Sequence, residues 1–182
     1  MCGISGIISR NKVDVMSFIK MNQTIHHRGP DDEGFVFFDN SLRPVTSGSN
    51  DTAEDSWISD FHYSPKLKIE EVNQNYRIAM GHRRLSILDL SPAGHMPMCD
   101  DKEELWITYN GEVYNFIEIR TELETLGHTF STTTDTEVIL AAYKEWGEKC
   151  LDRFMGMFAI AILDVKNKTV FLARDRFGIK PL

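Results

Sequence analysis

Cysteine is scarce in this sequence. Cys2, Cys99 and Cys150 are three among 182 residues. An odd number so widely spaced gives neither a disulfide framework nor a paired metal-ligand pattern, which suits a reducing cytoplasm. Long hydrophobic runs are missing as well. The longest, Met157 to Leu163, is far too short to span a bilayer. The start lacks a basic segment followed by an apolar stretch, so neither a membrane segment nor a signal peptide is expected. Positive charge is in deficit, with 20 Lys and Arg against 27 Asp and Glu and a net charge of −7. That balance argues against nucleic acid or an anionic membrane as a partner. The six histidines form no HExxH cluster, and adjacent His26 and His27 point differently on any regular element, so no metal is expected.

What is present suits a soluble globular domain. Hydrophobic residues make up 42% and charged residues 26%, and residues 1–182 read as one domain able to bury a core unaided. Residues 2–8 alternate small and large side chains, which predicts a buried strand with glycines where another backbone approaches. Val15, Phe18, Ile19, Met21 and Ile25 lie on one face of a helix that ends before a tight loop at 27–34. Phe35–Phe38 is a strand. The polar stretch 39–76 reads as an extended loop or insertion, with Trp57, Ile58, Phe61 and Tyr63 available to add a short extra strand or to cover an edge. A strand pair or bent strand follows over 76–89, then a turn at Ser91–Gly94.

Leu105–Tyr109 predicts a strand stopping at a turn, Asn110-Gly111. Helices are expected after Asn115, running to Leu126, and after Thr134, halting at Gly147, each with a capping-box pattern. Phe158–Leu163 and Thr169–Ala173 form a hairpin whose first strand is interior. Antiparallel strands with helices between them favour a layered α+β domain.

The chemistry centres on Cys2. Removal of Met1 would leave a residue carrying both a thiol and an α-amine, and a free α-amine has a pKa near 8 and can accept a proton. A thiol with a base on the same residue is an activated nucleophile. The competing reading is a small apolar residue opening a strand. Six segments in order decide between the two. They are Cys2-Gly3-Ile4-Ser5-Gly6, His27-Arg28-Gly29-Pro30-Asp31, Gly81-His82-Arg83-Arg84-Leu85-Ser86-Ile87, Tyr109-Asn110-Gly111-Glu112-Val113-Tyr114-Asn115, Thr134-Asp135-Thr136-Glu137 and Arg174 to Leu182. Together they resemble the N-terminal glutaminase domain of glutamine-dependent asparagine synthetases, a class II, N-terminal-nucleophile (Ntn) amidotransferase. The likeness covers nearly all of the chain outside 39–76.

The resemblance implies a four-layer αββα sandwich with two antiparallel sheets between helical layers. It implies hydrolysis of L-glutamine to glutamate and ammonia through a γ-glutamyl thioester on Cys2. Asn110 and Gly111 would form the oxyanion hole. Arg84 would clamp the substrate α-carboxylate, a task suited to its forked guanidinium. The backbone at Leu85 and Ile87 would line the pocket, Asp135 would receive the α-ammonium, and Glu112 would join the polar wall. Asp135 has a competing role as a helix-start acid, and Arg83 is expected to be solvated or salt-bridged. The 27–31 loop reads as structural, with His27 as general base the less favoured alternative. The implied partner is a C-terminal synthetase domain. ATP and magnesium would belong there, since no Ser-Gly-Gly-x-Asp-Ser loop occurs here, so no cofactor is expected for this chain. A homodimer is an open possibility, and a truncated domain is expected over a stand-alone glutaminase. Two rival readings remain: the same chemistry serving another acceptor such as a sugar, and a non-catalytic binding module.

Overall fold

The computed structural model describes residues 1–73, 75–87 and 89–182. Backbone contacts divide the chain into two compact units, 1–97 and 98–182.

The first unit opens with β1 (Gly3–Ile8) and α1 (Val15–Thr24). Asp14 starts the helix by accepting from the Met16 and Ser17 amides, which satisfies donors with no partner inside the first turn. After a 3-10 turn at His26–Arg28 come β2 (Asp32–Phe38), β3 (Pro44–Gly48), a one-turn helix α2 (Glu54–Trp57), β4 (Leu67–Lys68) and β5 (Ile78–Arg84). The strands form one sheet in the order β1-β5-β2-β3-β4, antiparallel except for β3 with β4. Phe35 and Phe37 share one face of β2 and meet Phe18 of α1 edge to face at 5.9 and 5.8 Å. Ile19, Ile69, Val72, Tyr76 and Ala79 complete this core.

The second unit contains β6 (Met98–Cys99), β7 (Leu105–Val113), α3 (Phe116–Thr125), α4 (Asp135–Trp146), β8 (Gly156–Asp164) and β9 (Thr169–Arg174). Its antiparallel sheet runs β6-β7-β8-β9. Thr134 starts α4 by accepting from the Glu137 amide, and Gly147 ends it at φ 57°. As expected, β8 is an interior strand.

Several expectations are corrected. β1 is an edge strand with Gly6 and Ile8 exposed. Its glycines are not sites of backbone crowding, since Gly3 faces the Ile25 side chain and Gly6 has ordinary room. Met21 is exposed, and the inner face of α1 is completed by polar Asn22. The loop expected over 27–34 takes in Asp32, Glu33 and Gly34, which belong to β2 because that strand begins at Asp32. The stretch 39–76 is no plain loop: it adds β3 and β4 to the sheet and buries Thr46, Ser47, Ser56, Tyr63 and Ser64. β5 is one continuous strand ending at Arg84, and Leu88, placed in the expected bend, lies outside the described residues. Asn115 does not cap α3 with its side chain, which instead joins Arg153 O and Met155 N. Glu137 closes no capping box, because its carboxylate takes the amides of Ser131 and Thr132.

Asn110-Gly111 is the largest correction. The pair is no turn: it sits inside β7, opposite Ala159 and Phe158 of β8.

Candidate active site

The proposed residues fall into two groups, one in each unit. In the first, β1 runs antiparallel to β5 with Gly3 opposite Arg83, which brings Cys2 to the end of β5. The Cys2 thiol lies 3.4 Å from the Leu85 amide and 3.7 Å from the Leu85 carbonyl. Arg28 donates from Nε to the Cys2 carbonyl at 3.0 Å, and Asp31 accepts the Ser86 amide at 2.8 Å. The 27–31 loop therefore fixes both strand ends beside the thiol, in agreement with its structural reading, while His27 is exposed.

Arg84 is 7% exposed. Its guanidinium donates to the carbonyls of Ser91, at 3.1 Å, and Asp89. The bare Cα of Gly94 lies against it, where a Cβ would come within 2.6 Å of Cζ. Ile87 is 67% exposed. Arg83 is buried and salt-bridged, to Glu33 at 2.5 Å and Asp51 at 2.7 Å. Glu33 also takes bonds from Asn22 and Ser49. Burial pushes the Glu33 carboxyl above its ordinary range despite those bonds and the Arg83 charge.

In the second unit, Asn110 is buried in β7 and Gly111 follows it. A Cβ on Gly111 would stand 2.7 Å from Cα of Phe158 and closer still to the Met157 carbonyl. Asn110 and Glu112 share one face of the strand, as alternate residues do. Asp135, the first residue of α4, accepts from the Tyr109 hydroxyl at 2.8 Å and the Val113 amide at 3.1 Å. Burial raises its carboxyl above the usual range against the pull of those donors. Burial and the neighbouring Asp135 raise Glu112 as well, while Lys180 lowers it. Glu112 and Asp135 thus form an acidic corner in which the Lys180 charge acts on Glu112.

The remaining cysteines are unsuited to catalysis. Cys99 and Cys150 are buried, and burial pushes the Cys150 thiol up to about 12. Among the described residues, no group of three or more His, Cys, Asp or Glu could hold a metal ion. No helix among them is long and apolar enough to cross a membrane.

Sequence reasoning missed Asp32, Glu33, Asn22, His95 and Tyr63 as supports of the site. Asp32 and Glu33 stand opposite Arg84 and Arg83 in the β2–β5 register. The adjacent acidic and basic pairs carried that signal.

Two sheets, each carrying helices, make a layered α+β fold. The same arrangement occurs in the glutamine phosphoribosylpyrophosphate amidotransferase of Bacillus subtilis, solved with ADP and GMP. It matches 99% of this chain and 38% of its own at a TM-score of 0.70 and 20% identity. The fold is that of the Ntn amidotransferases, as expected. A family described as a glutamine amidotransferase domain matches residues 69–182, and the chain belongs to it.

Its relatives include a Methanocaldococcus jannaschii protein provisionally named glutamine-hydrolysing asparagine synthetase 2. That protein is 39% identical over 198 residues, covering 100% of this chain and 31% of the relative. Glutamine-hydrolysing asparagine synthetase 1 of Bacillus subtilis is 36% identical over 187 residues, covering 100% of this chain and 24% of the relative. The chain thus spans a third or less of the length of these relatives.

Proposed function

We propose that this domain hydrolyses L-glutamine to glutamate and ammonia, and that the ammonia serves an asparagine synthetase-type domain. The observation that carries the reading is the Cys2 thiol held against Leu85, next to Arg84. The names of the relatives support the acceptor side of the proposal.

With Met1 removed, the Cys2 α-amine takes the thiol proton as sulfur attacks the δ-carbonyl carbon. The C–S bond forms, the C–N bond breaks, and the proton leaves on ammonia. Water then opens the γ-glutamyl thioester, giving glutamate and restoring the thiol. The Asn110 amide and the Gly111 N–H donate to the oxyanion. Arg84 holds the α-carboxylate, the backbone at Leu85 and Ile87 lines the pocket, and Asp135 with Glu112 receives the α-ammonium.

Diazo-oxo-norleucine, a glutamine mimic, tests the reading by mass spectrometry alongside a glutamate-release assay. The expected result is one adduct on Cys2, with Met1 absent and Cys99 and Cys150 untouched, and loss of both adduct and turnover in Cys2→Ala. A chain beginning at Cys2 that neither reacts nor releases glutamate would refute it.

A further inference from the structure

We infer that Asp32, His95 and Tyr63 are positioning residues for Arg84, and that the 39–76 segment serves as the buttress through which they act. This deepens the glutaminase reading and rests on it. Arg84 is oriented by carbonyls of the 89–95 loop, so its aim is only as firm as that loop. Two buried ties fix the loop. The Tyr63 hydroxyl donates to the Ala93 carbonyl at 2.9 Å. His95 Nδ1 meets Asp32 Oδ2 at 2.7 Å, with both side chains 2% exposed. The imidazole is seated on Gly34, where a Cβ would come 2.6 Å from Nε2.

The ties lead back to the segment absent from the recognisable motifs. Tyr63 belongs to it. So do Ala53, whose amide donates to Asp32 Oδ1 at 2.9 Å, and Ser56, whose hydroxyl lies 3.5 Å from Asp32 Oδ2. Asp32 also stands opposite Arg84 across the β2–β5 pairing. A buried carboxylate, an imidazole and a phenol converging on one loop are a costly arrangement to keep unless each is satisfied, as all three are here. A misplacement of about 1 Å in a substrate grip is enough to weaken it severely.

The test compares His95→Ala, His95→Asn and Tyr63→Phe with the parent. His95→Ala should raise KM for L-glutamine about tenfold or more, with kcat within about threefold, because the lost interaction is a charge-assisted grip on the substrate and not the chemistry. Asparagine can return an N–H near the Nδ1 position, so His95→Asn should recover most of the loss, and Tyr63→Phe should show a smaller KM increase. The concentration of diazo-oxo-norleucine needed for half-maximal inactivation should rise in parallel. Alkylation of Cys2 by iodoacetamide, which has no carboxylate, should keep its rate.

A parent with normal turnover whose variants keep its KM would overturn the positioning role alone. So would a fall in kcat, KM quality and iodoacetamide rate together, the mark of general unfolding. A parent that neither turns over glutamine nor reacts with its mimic would overturn the glutaminase reading beneath it.

Discussion

Replacing Gly111 by alanine tests whether Asn110-Gly111 belongs to a strand. Gly111 is not among the glycines with positive φ, which are Gly127, Gly147 and Gly178. No backbone preference therefore forbids a side chain there; only space does. The added Cβ would lie 2.7 Å from Cα and 2.8 Å from Cβ of Phe158, against a floor near 3.0 Å for real Cβ atoms. The opposing atoms are main chain or bonded directly to it, so no rotamer change relieves the overlap, and β7 and β8 must shift apart. Overpacking of this kind costs about 1–3 kcal/mol, and each kcal/mol lowers Tm by roughly 2–4 °C in a chain of this size.

The same shift moves the amide proposed for the oxyanion hole, and loss of one such donor costs about 10²–10³ in kcat. Gly127→Ala is the internal control. At φ 95° with no atom within 4 Å, it should lose about 1–2 kcal/mol through backbone strain alone and keep its turnover. The assays are thermal unfolding and glutamate release. A Gly111→Ala protein with parental Tm and kcat would refute both the packing and the assignment of the amide.

Asp135→Asn should raise KM for glutamine by about 10–100-fold, the worth of one hydrogen bond to a charged partner, with a smaller change in kcat by steady-state kinetics. Because the Asp135 carboxyl is raised by burial, it protonates as pH falls at values above the ordinary carboxylate range. Glutamine binding should weaken there, and an unchanged KM across that window would contradict its role. Asp32 behaves oppositely. Burial alone would raise its carboxyl, but the His95 hydrogen bond and charge together with the Ala53 amide hold it low. Its stabilisation is present above the ordinary carboxylate range and is lost as pH falls through the depressed value, so Asp32→Asn should flatten that limb of the stability–pH curve. Phe18→Ala removes the ring shared by Phe35 and Phe37 and should cost about 3–5 kcal/mol in denaturant unfolding.

The motifs were legible as a set, because six segments in order resemble one family. Taken singly, the opening cysteine, the Asn-Gly pair and the acid at a helix start each had a structural reading that competed with the chemical one. The supports were not legible, because polar burial leaves no hydrophobic rhythm. β3 hides in Pro44–Gly48, where Thr46 and Ser47 are buried with hydrogen-bonding in place of apolar contact for Thr46. The start of β2 hides behind Asp32 and Glu33, residues that strands seldom hold unless a partner such as Arg83 or His95 is supplied from afar. Asn110-Gly111 misled because the turn preference of the dipeptide is overruled when a nine-residue strand pairs along its whole length with β8. α1, α3, α4 and the β8–β9 hairpin were placed from the sequence, although the side-chain bonds expected at the start of α3 and at Glu137 of α4 go to other partners.

The cage around Arg84 is made of carbonyl oxygens from Ser91 and Asp89. Carbonyls are dipoles: they orient a guanidinium without cancelling its charge. The acid opposite it across the sheet, Asp32, is bonded to His95, and the Arg84 charge adds only the smallest of the pulls that hold its carboxyl low. In the proposed glutaminase, a cation kept in this way would select for a free carboxylate, which glutamine has as an amino acid and lacks once its carboxyl is joined in a peptide bond. On that proposal, the same few bonds that aim one arginine would separate free glutamine from glutamine residues in a polypeptide.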